Sequence, residues 1–407
     1  MKIINHFKTC MKMAAMLFVF ILNMLNVAHS AVLNIYTEFK PDISYPDKNE
    51  FKNITTPSGF CVQHPNYCRE GEFSIIIPGL SALKKFDYSS DDIRKHTYLS
   101  IDGRGRIVVL TNKTTGIKTT AEFRWAFFGV QHNRTGSHQS SVSSAMNNTG
   151  AVPSGDCSPR TGIGNTVWYR HGWGVNQKVS VCYRKLNNAL ADGDITVNNF
   201  SLGYVLVTPK PLELPAGEYE GEVIYSVGEG MDVDFGAESY SDNEVRIKIK
   251  ATVEHAFFYR FPAGSENVQL SPPNGWSSWI NGGMIPQKLS KEVPFTLSSS
   301  SGFKIWMQCE HNAGAGCGLK NQATAETVPL DVKMTIPGFT SNRQPVRNML
   351  LNTDAAGHTI DLPGQFVVDL RSKLDFVVNR PEVEKMVKAP GSNWKGAVTL
   401  IFDSEVE

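Results

Sequence analysis

The chain has 407 residues, and its 40 Lys plus Arg against 39 Asp plus Glu give a formal net charge of +1. That balance leaves no composition-level case for nucleic acid or an acidic polymer as partner. The length is enough for about two domains, each with its own core.

The first thirty residues, "MKIINHFKTCMKMAAMLFVFILNMLNVAHS", open with lysines and run apolar from Met13 to Ala28, with Ala28 and Ser30 as small residues before Ala31. This is the pattern of a secretory signal peptide over 1–30, with the mature chain starting near Ala31. No later stretch is apolar enough to cross a bilayer, so an exported product is expected. Cys10 leaves with that peptide, and the remaining cysteines fall in close couples: Cys61 with Cys68, Cys157 with Cys182, Cys309 with Cys317. An even number in an exported chain points to disulfides, and the nearest-neighbour set is the expected pairing. The alternative is a metal site at "CEHNAGAGC", where His311 lies between two cysteines. Its Gly-rich spacer reads as a loop tip, and no second ligand pair follows, so neither metal nor cofactor is expected.

Apolar segments are short, alternating and bounded by Gly, Pro, Asn or Ser, with no amphipathic helix longer than about two turns. The expected strands of the first part are "EFSIIIP", "HTYLSI", "GRIVVLTN", "GIKTTAEFRWAFFGVQ", "KVSVCYR" and "FSLGYVLVTP". Between Gln131 and Thr166 the sequence is polar and small and reads as a long decorated loop holding His132, His138 and Cys157. "VWYRHGWG" follows. Trp168, Tyr169, Arg170, His171 and Trp173 combine aromatic faces with fixed donors, which suits stacking on a sugar ring while hydrogen-bonding its hydroxyls. The same tryptophans also fit a sandwich core. Arg124, beside Trp125, is a further binding candidate. "MDVDFGAE" offers Asp232, Asp234 and Glu238, a turn or weak calcium site whose spacing is not that of an EF-hand. Gly-x-Ser-x-Gly and HExxH are absent, and no catalytic residue is nominated.

"LPAGEYEGEVIYSV" then introduces aromatic-x-Gly-x-Val through Tyr219, Gly221 and Val223, followed by the alternating "EVRIKIKATVE". In that strand Val245, Ile247, Ile249, Ala251 and Val253 line one face, and Arg246, Lys248, Lys250 and Thr252 the other. A boundary is placed near His255, dividing the mature chain into 31–253 and 254–407. The strands beyond it are "VPFTLS", "FKIWMQC", "VPLDVKMTIP", "KLDFVVN" and "KGAVTLIF". The last one repeats the earlier phrase through Trp394, Gly396 and Val398, but no closing strand follows it. The fold expected is all-β: two immunoglobulin-like β-sandwich domains in tandem, the second lacking its final strand. Such a domain exposes a groove which another chain can fill by strand addition.

Through "LPAGEYEGEVIYSV", "EVRIKIKATVEH" and "SKLDFVVNRPEVEKMVKAPGSNWKGAVTLIF", in that order behind a signal peptide, the mature chain resembles the tip adhesins of alternate chaperone–usher fimbriae. This is the CblD-like pilus initiator family that includes enterotoxigenic colonisation-factor minor subunits. The resemblance implies an amino-terminal adhesin domain and a carboxy-terminal pilin domain completed by a donor strand, with Val398, Leu400 and Phe402 of the terminal strand on the edge of the groove. It also implies a periplasmic chaperone, an outer-membrane usher, a major pilin and a host glycan or glycoprotein receptor as partners, with a place at the fimbrial tip on the cell surface. Relatives carry paired arginines after the Gly-aromatic motif. Here that place reads "VIYSVGEGMDVD", so their receptor chemistry does not carry over. "AVLNIYTEFKPDIS", which soon reaches Pro41, does not read as a free donor extension. A secreted carbohydrate-binding or carbohydrate-active protein outside any fibre is the alternative.

Overall fold

The computed structural model describes residues 30–68, 73–135, 142–146 and 153–404. Apart from Ser30 the leader lies outside the described residues, as does His138. The architecture is all-β. In the first part the principal strands are β1 (Ser30–Phe39), β2 (Arg106–Asn112), β3 (Lys118–Arg134), β4 (Trp168–Gly174), β5 (Gly193–Val207), β6 (Gly217–Ser226) and β7 (Glu244–Val253). In the second they are β8 (Phe257–Arg260), β9 (Lys288–Ser299), β10 (Phe303–Cys309), β11 (Gly316–Asn321), β12 (Thr327–Thr335), β13 (Val367–Asn379), β14 (Trp394–Lys395) and β15 (Val398–Asp403). Two short helices enter below: α1 (Phe60–Gln63) and α2 (Arg380–Val387), the latter about two turns long. No helix of the described residues is long and apolar enough to cross a membrane.

The main sheet of the first half runs β5-β3-β2-β6-β7-β1, with β4 added against β3. A second sheet built around Thr97–Asp102 and Val179–Arg184 contributes Leu99 and Ile101 to the same core. β7 turns its alternation directly into geometry: Val245, Ile247 and Ile249 are fully buried, Ala251 and Val253 nearly so. Each such Val or Ile contributes about 1.5–3 kcal/mol relative to exposure. β7 is paired along both edges, antiparallel to β6 from Gly217↔Val253 to Ser226↔Glu244 and parallel to β1 from Ser30↔Glu244 to Phe39↔Val253. The segment beginning "AVLNIYTEF" is thus a strand of its own sheet, with Ala31, Leu33, Ile35 and Phe39 buried.

In the second half one sheet runs β8-β9-β13-β12-β11 and the other is His358–Ile360, β10, β15. β12 buries Val328, Leu330, Val332 and Met334 on one face, the half-buried pattern expected of an antiparallel strand. The two apolar cores share no residue: one gathers side chains from Ala31 to Val253, the other from Leu289 to Val383. The three disulfides are Cys61–Cys68, Cys157–Cys182 and Cys309–Cys317.

Three local readings change. Only Ile75–Ile76 of "EFSIIIP" is strand, because Ser74 turns to accept from Cys61 N and donate to Ser58 O, and Pro78 has no N–H to extend the ladder. The loop read from Gln131 starts later, since β3 continues to Arg134 and buries His132. The third is a β-bulge in β3. Phe127 pairs with Gly203 and Trp125 with Tyr204, skipping Ala126, so the inward set changes phase. Trp125 and Phe128 both enter the main core, while Phe127 faces the opposite side and packs on Phe60 of α1.

Candidate functional site

The two aromatic-x-Gly-x-Val phrases sit in matching surroundings. Asn112 ends β2 and Asn321 ends β11, and they lie opposite Tyr219 and Trp394 in the ladders. Asn112 Oδ1 accepts from Thr114 N and Thr115 N at 2.9 and 3.0 Å, and Asn321 Oδ1 from Ala323 N and Thr324 N at 2.9 and 3.4 Å. The next residues donate across in the same way, Lys113 N to Glu218 O at 2.9 Å and Gln322 N to Asn393 O at 3.0 Å. The shared glycine has a steric reason. A Cβ on Gly221 would stand 2.4 Å from Val109 O, and one on Gly396 would stand 2.5 Å from Gly318 O. The two halves therefore share one structural device.

They differ in what lies on the far edge. β6 has β2 on one side and the whole of β7 on the other. Among the described residues β14 and β15 pair only with β11 and β10, and nothing occupies the place of β7. Val398, Leu400 and Phe402 lie partly buried against the second core, whereas their counterparts Val223, Tyr225 and Val227 are buried. Phe402 stacks on Tyr259 of β8 at 4.7 Å and also faces Phe257 and Phe303. Phe258 and Tyr259 are at least half exposed. The result is an aromatic-lined trough beside an unpaired strand edge, which favours an added strand. Sequence reading found the β15 side of this trough and missed Phe257 and Tyr259, although "HAFFYRF" carries them.

The sugar-binding candidates of the first half divide by strand phase. Tyr169, His171 and Trp173 point into the core and are at most 2% exposed, so they are unavailable to a surface ligand. His171 packs between His132 and Trp173, which explains the burial of this face. Trp168 and Arg170 point outward. Arg124 is on β3, seven residues from Gln131, the partner of Arg170, so it lies roughly 20 Å away and is not part of the same cluster.

Arg170 is held by groups that the sequence did not nominate. The Cys61–Cys68 disulfide closes α1 and the turn after it into a loop, and Phe60 docks that loop on Phe127 at the outer face of β3. This turn presents Gln63 and His64. Arg170 Nη1 donates to Gln63 Oε1 and Nη2 donates to Gln131 Oε1, with His64 Nε2 3.4 Å from Nη1. Gln131 Nε2 donates to Asn133 Oδ1 at 2.5 Å, and Asn133 Nδ2 to Asn198 Oδ1 at 2.8 Å, giving a row of amides across β3 and β5. The guanidinium lies 5.7 Å from the Trp168 ring centroid. Burial lowers the pKa of Arg170, and His64 is lowered by burial and then by the Arg170 charge. The bulge at Ala126 sets which β3 residues face outward here, a feature with no signal in the alternation itself.

The acidic loop is not a calcium site. Asp232 is ion-paired to Arg106, Asp234 to Arg94, and Glu238 to Lys95, so arginine and lysine hold the carboxylates that a cation would need. Asp102, gripped by Arg104 and Arg106, has its pKa lowered to about 2. Among the described residues no group of three or more His, Cys, Asp or Glu could hold a metal. The cysteines flanking His311 are joined to each other.

No family model matches the chain, and no curated protein matches it. Solved chaperone–usher tip adhesins are among the structures it resembles. One is a chaperone–tip adhesin complex of CFA/I fimbriae, at 13% identity, 93% coverage of this chain, 98% of that chain and a TM-score of 0.25. A mutant form of the enterotoxigenic E. coli adhesin CfaE gives 11%, 93%, 94% and 0.27. The CsuC–CsuE complex of the archaic Csu pili of Acinetobacter baumannii gives 11%, 92%, 99% and 0.22. At such identities and scores the likeness carries no weight for function.

Proposed function

We propose that this chain is a non-enzymatic fimbrial tip adhesin and pilus initiator, made of an adhesin domain over 31–253 and a pilin domain over 254–407. The first domain binds a host glycan or glycoprotein. The second is completed in turn by a periplasmic chaperone and, at the outer-membrane usher, by the donor strand of a major pilin. The product is exported to the cell surface and stands at the fibre tip. The observation that carries this reading is the free edge of β15 where the matching strand β6 has β7. β1 agrees with it, since that segment is docked along β7 and is not available for donation to another subunit.

The test compares residues 31–407 with residues 31–254, each exported without a chaperone and scored for soluble monomer and a cooperative thermal transition. The reading expects the shorter chain to behave well and the longer one to need a supplied strand. A longer chain that is a stable monomer with both cores intact would overturn it in favour of a free secreted lectin or enzyme.

A further inference from the structure

Four arginines of the first half, Arg94, Arg104, Arg106 and Arg246, are neutralised by carboxylates. Arg170 is not. Among the described residues its partners are the neutral oxygens of Gln63 and Gln131 and the His64 ring, and its Nε is buried without a partner. A half-buried cation with no counter-charge is costly, and an anion brought to it relieves that cost. The guanidinium is also fixed in place, because its two terminal nitrogens are tied to a disulfide-stapled turn and to a central strand. A fixed fork of donors suits a planar or tetrahedral oxyanion. Beside it the partly exposed Trp168 offers an aromatic face, and the Gln131–Asn133–Asn198 row offers donors and acceptors suited to hydroxyl groups.

We propose that this face binds an acidic saccharide, with a carboxylate or sulfate on Arg170, the sugar ring against Trp168 and its hydroxyls along the amide row. The inference rests on the first half being the receptor-binding part, and it names the chemical class of the receptor. Arg170 takes the charge and Trp168 takes the ring, so the two are separable.

The experiment titrates the full chain with sialyllactose, sulfated lactose and lactose at low and high salt, for wild type, Arg170→Gln, Arg170→Lys and Trp168→Ala. Thermal transitions serve as the control for folding. At least one acidic sugar is expected to bind about tenfold tighter than lactose, with salt weakening it. Arg170→Gln should erase that preference, Arg170→Lys should retain part of it, and Trp168→Ala should weaken all three sugars. A preference for sialyllactose alone identifies a carboxylate, and one for the sulfated sugar alone identifies a sulfate. Equal binding of lactose, or an acidic preference that survives Arg170→Gln, overturns the proposal while leaving a neutral-glycan adhesin intact. No binding of either acidic sugar overturns it as well. The tip reading is judged separately, by whether the second half needs a strand.

Discussion

The two halves share the Asn-capped turn and the glycine that lets two strands approach, yet they close differently. Among the described residues the first core has forty-five buried apolar side chains and six partly buried ones packed on it. The second has nineteen and seventeen. Three of those partly buried side chains, Val398, Leu400 and Phe402, belong to the strand whose far edge is unpaired. The comparison teaches that β7 is the element that covers the first core along an edge whose counterpart in the second half stays uncovered.

The most forceful way to break this comparison is to supply the strand. A donor segment of alternating apolar residues, appended through a flexible linker or added as a peptide, should raise the melting temperature of the second half by about 10 °C or more and leave the first transition unmoved. Two transitions followed by calorimetry check this, and no shift would mean that the trough is already satisfied. Next come matched truncations. Ile249→Ala in β7 should cost about 2–5 kcal/mol in the first half, whereas Leu400→Ala in β15 should cost less than half of that until a donor strand is present. Denaturant titration with and without the donor separates the two outcomes.

Acid should also tell the halves apart. His132 and His171 are buried side by side, and burial holds His132 well below its ordinary value and lowers His171 to about 3, with the Lys84 charge adding to the effect on His132. Histidine in the unfolded chain takes up a proton near pH 6.5, so stability is full above that value and is lost as pH falls from about 6.5 towards 3. At pH 5 the loss is roughly 2 kcal/mol per histidine, and it should fall on the first transition and disappear in His132→Gln/His171→Gln if that double variant folds. A flat profile over this range would contradict the buried neutral pair. The smallest effect concerns the shared turn. Gly116 and Ala325 hold the same position with φ of 73° and 62°, a left-handed conformation that suits glycine and strains alanine. Ala325→Gly should therefore stabilise the second half by about 0.5 kcal/mol and Gly116→Ala destabilise the first by about 1 kcal/mol, both read by denaturant midpoint.

Much of the fold could be read in the residues because it depends on period-two patterning, which β7 and β12 display without interruption. The repeat could be read because Gly221 and Gly396 answer the same steric demand three residues from an asparagine-capped strand end. The binding face was only half legible. Trp168 and Arg170 were named with three neighbours on the buried side, since a strand's phase is fixed by what covers it and not by its own composition. Gln63 and His64 come from a disulfide-closed turn that Phe60 docks onto a distant strand, and Gln131 and Asn133 face outward because one extra residue enters β3. Neither a long-range placement nor a single-residue bulge leaves a local pattern.

The pairing of β7 along both edges has a mechanical meaning. Three residues, Glu254 to Ala256, join its end to β8, so the covalent path of a pull on the second half enters the first along the axis of β7. That strand is gripped over ten residues by β6 on one side and by β1 on the other. Tension applied lengthwise loads these rungs together in shear, whereas a sideways pull would open them one at a time. The strand that seals the first core is thereby also its tether, placed to carry load between the two halves.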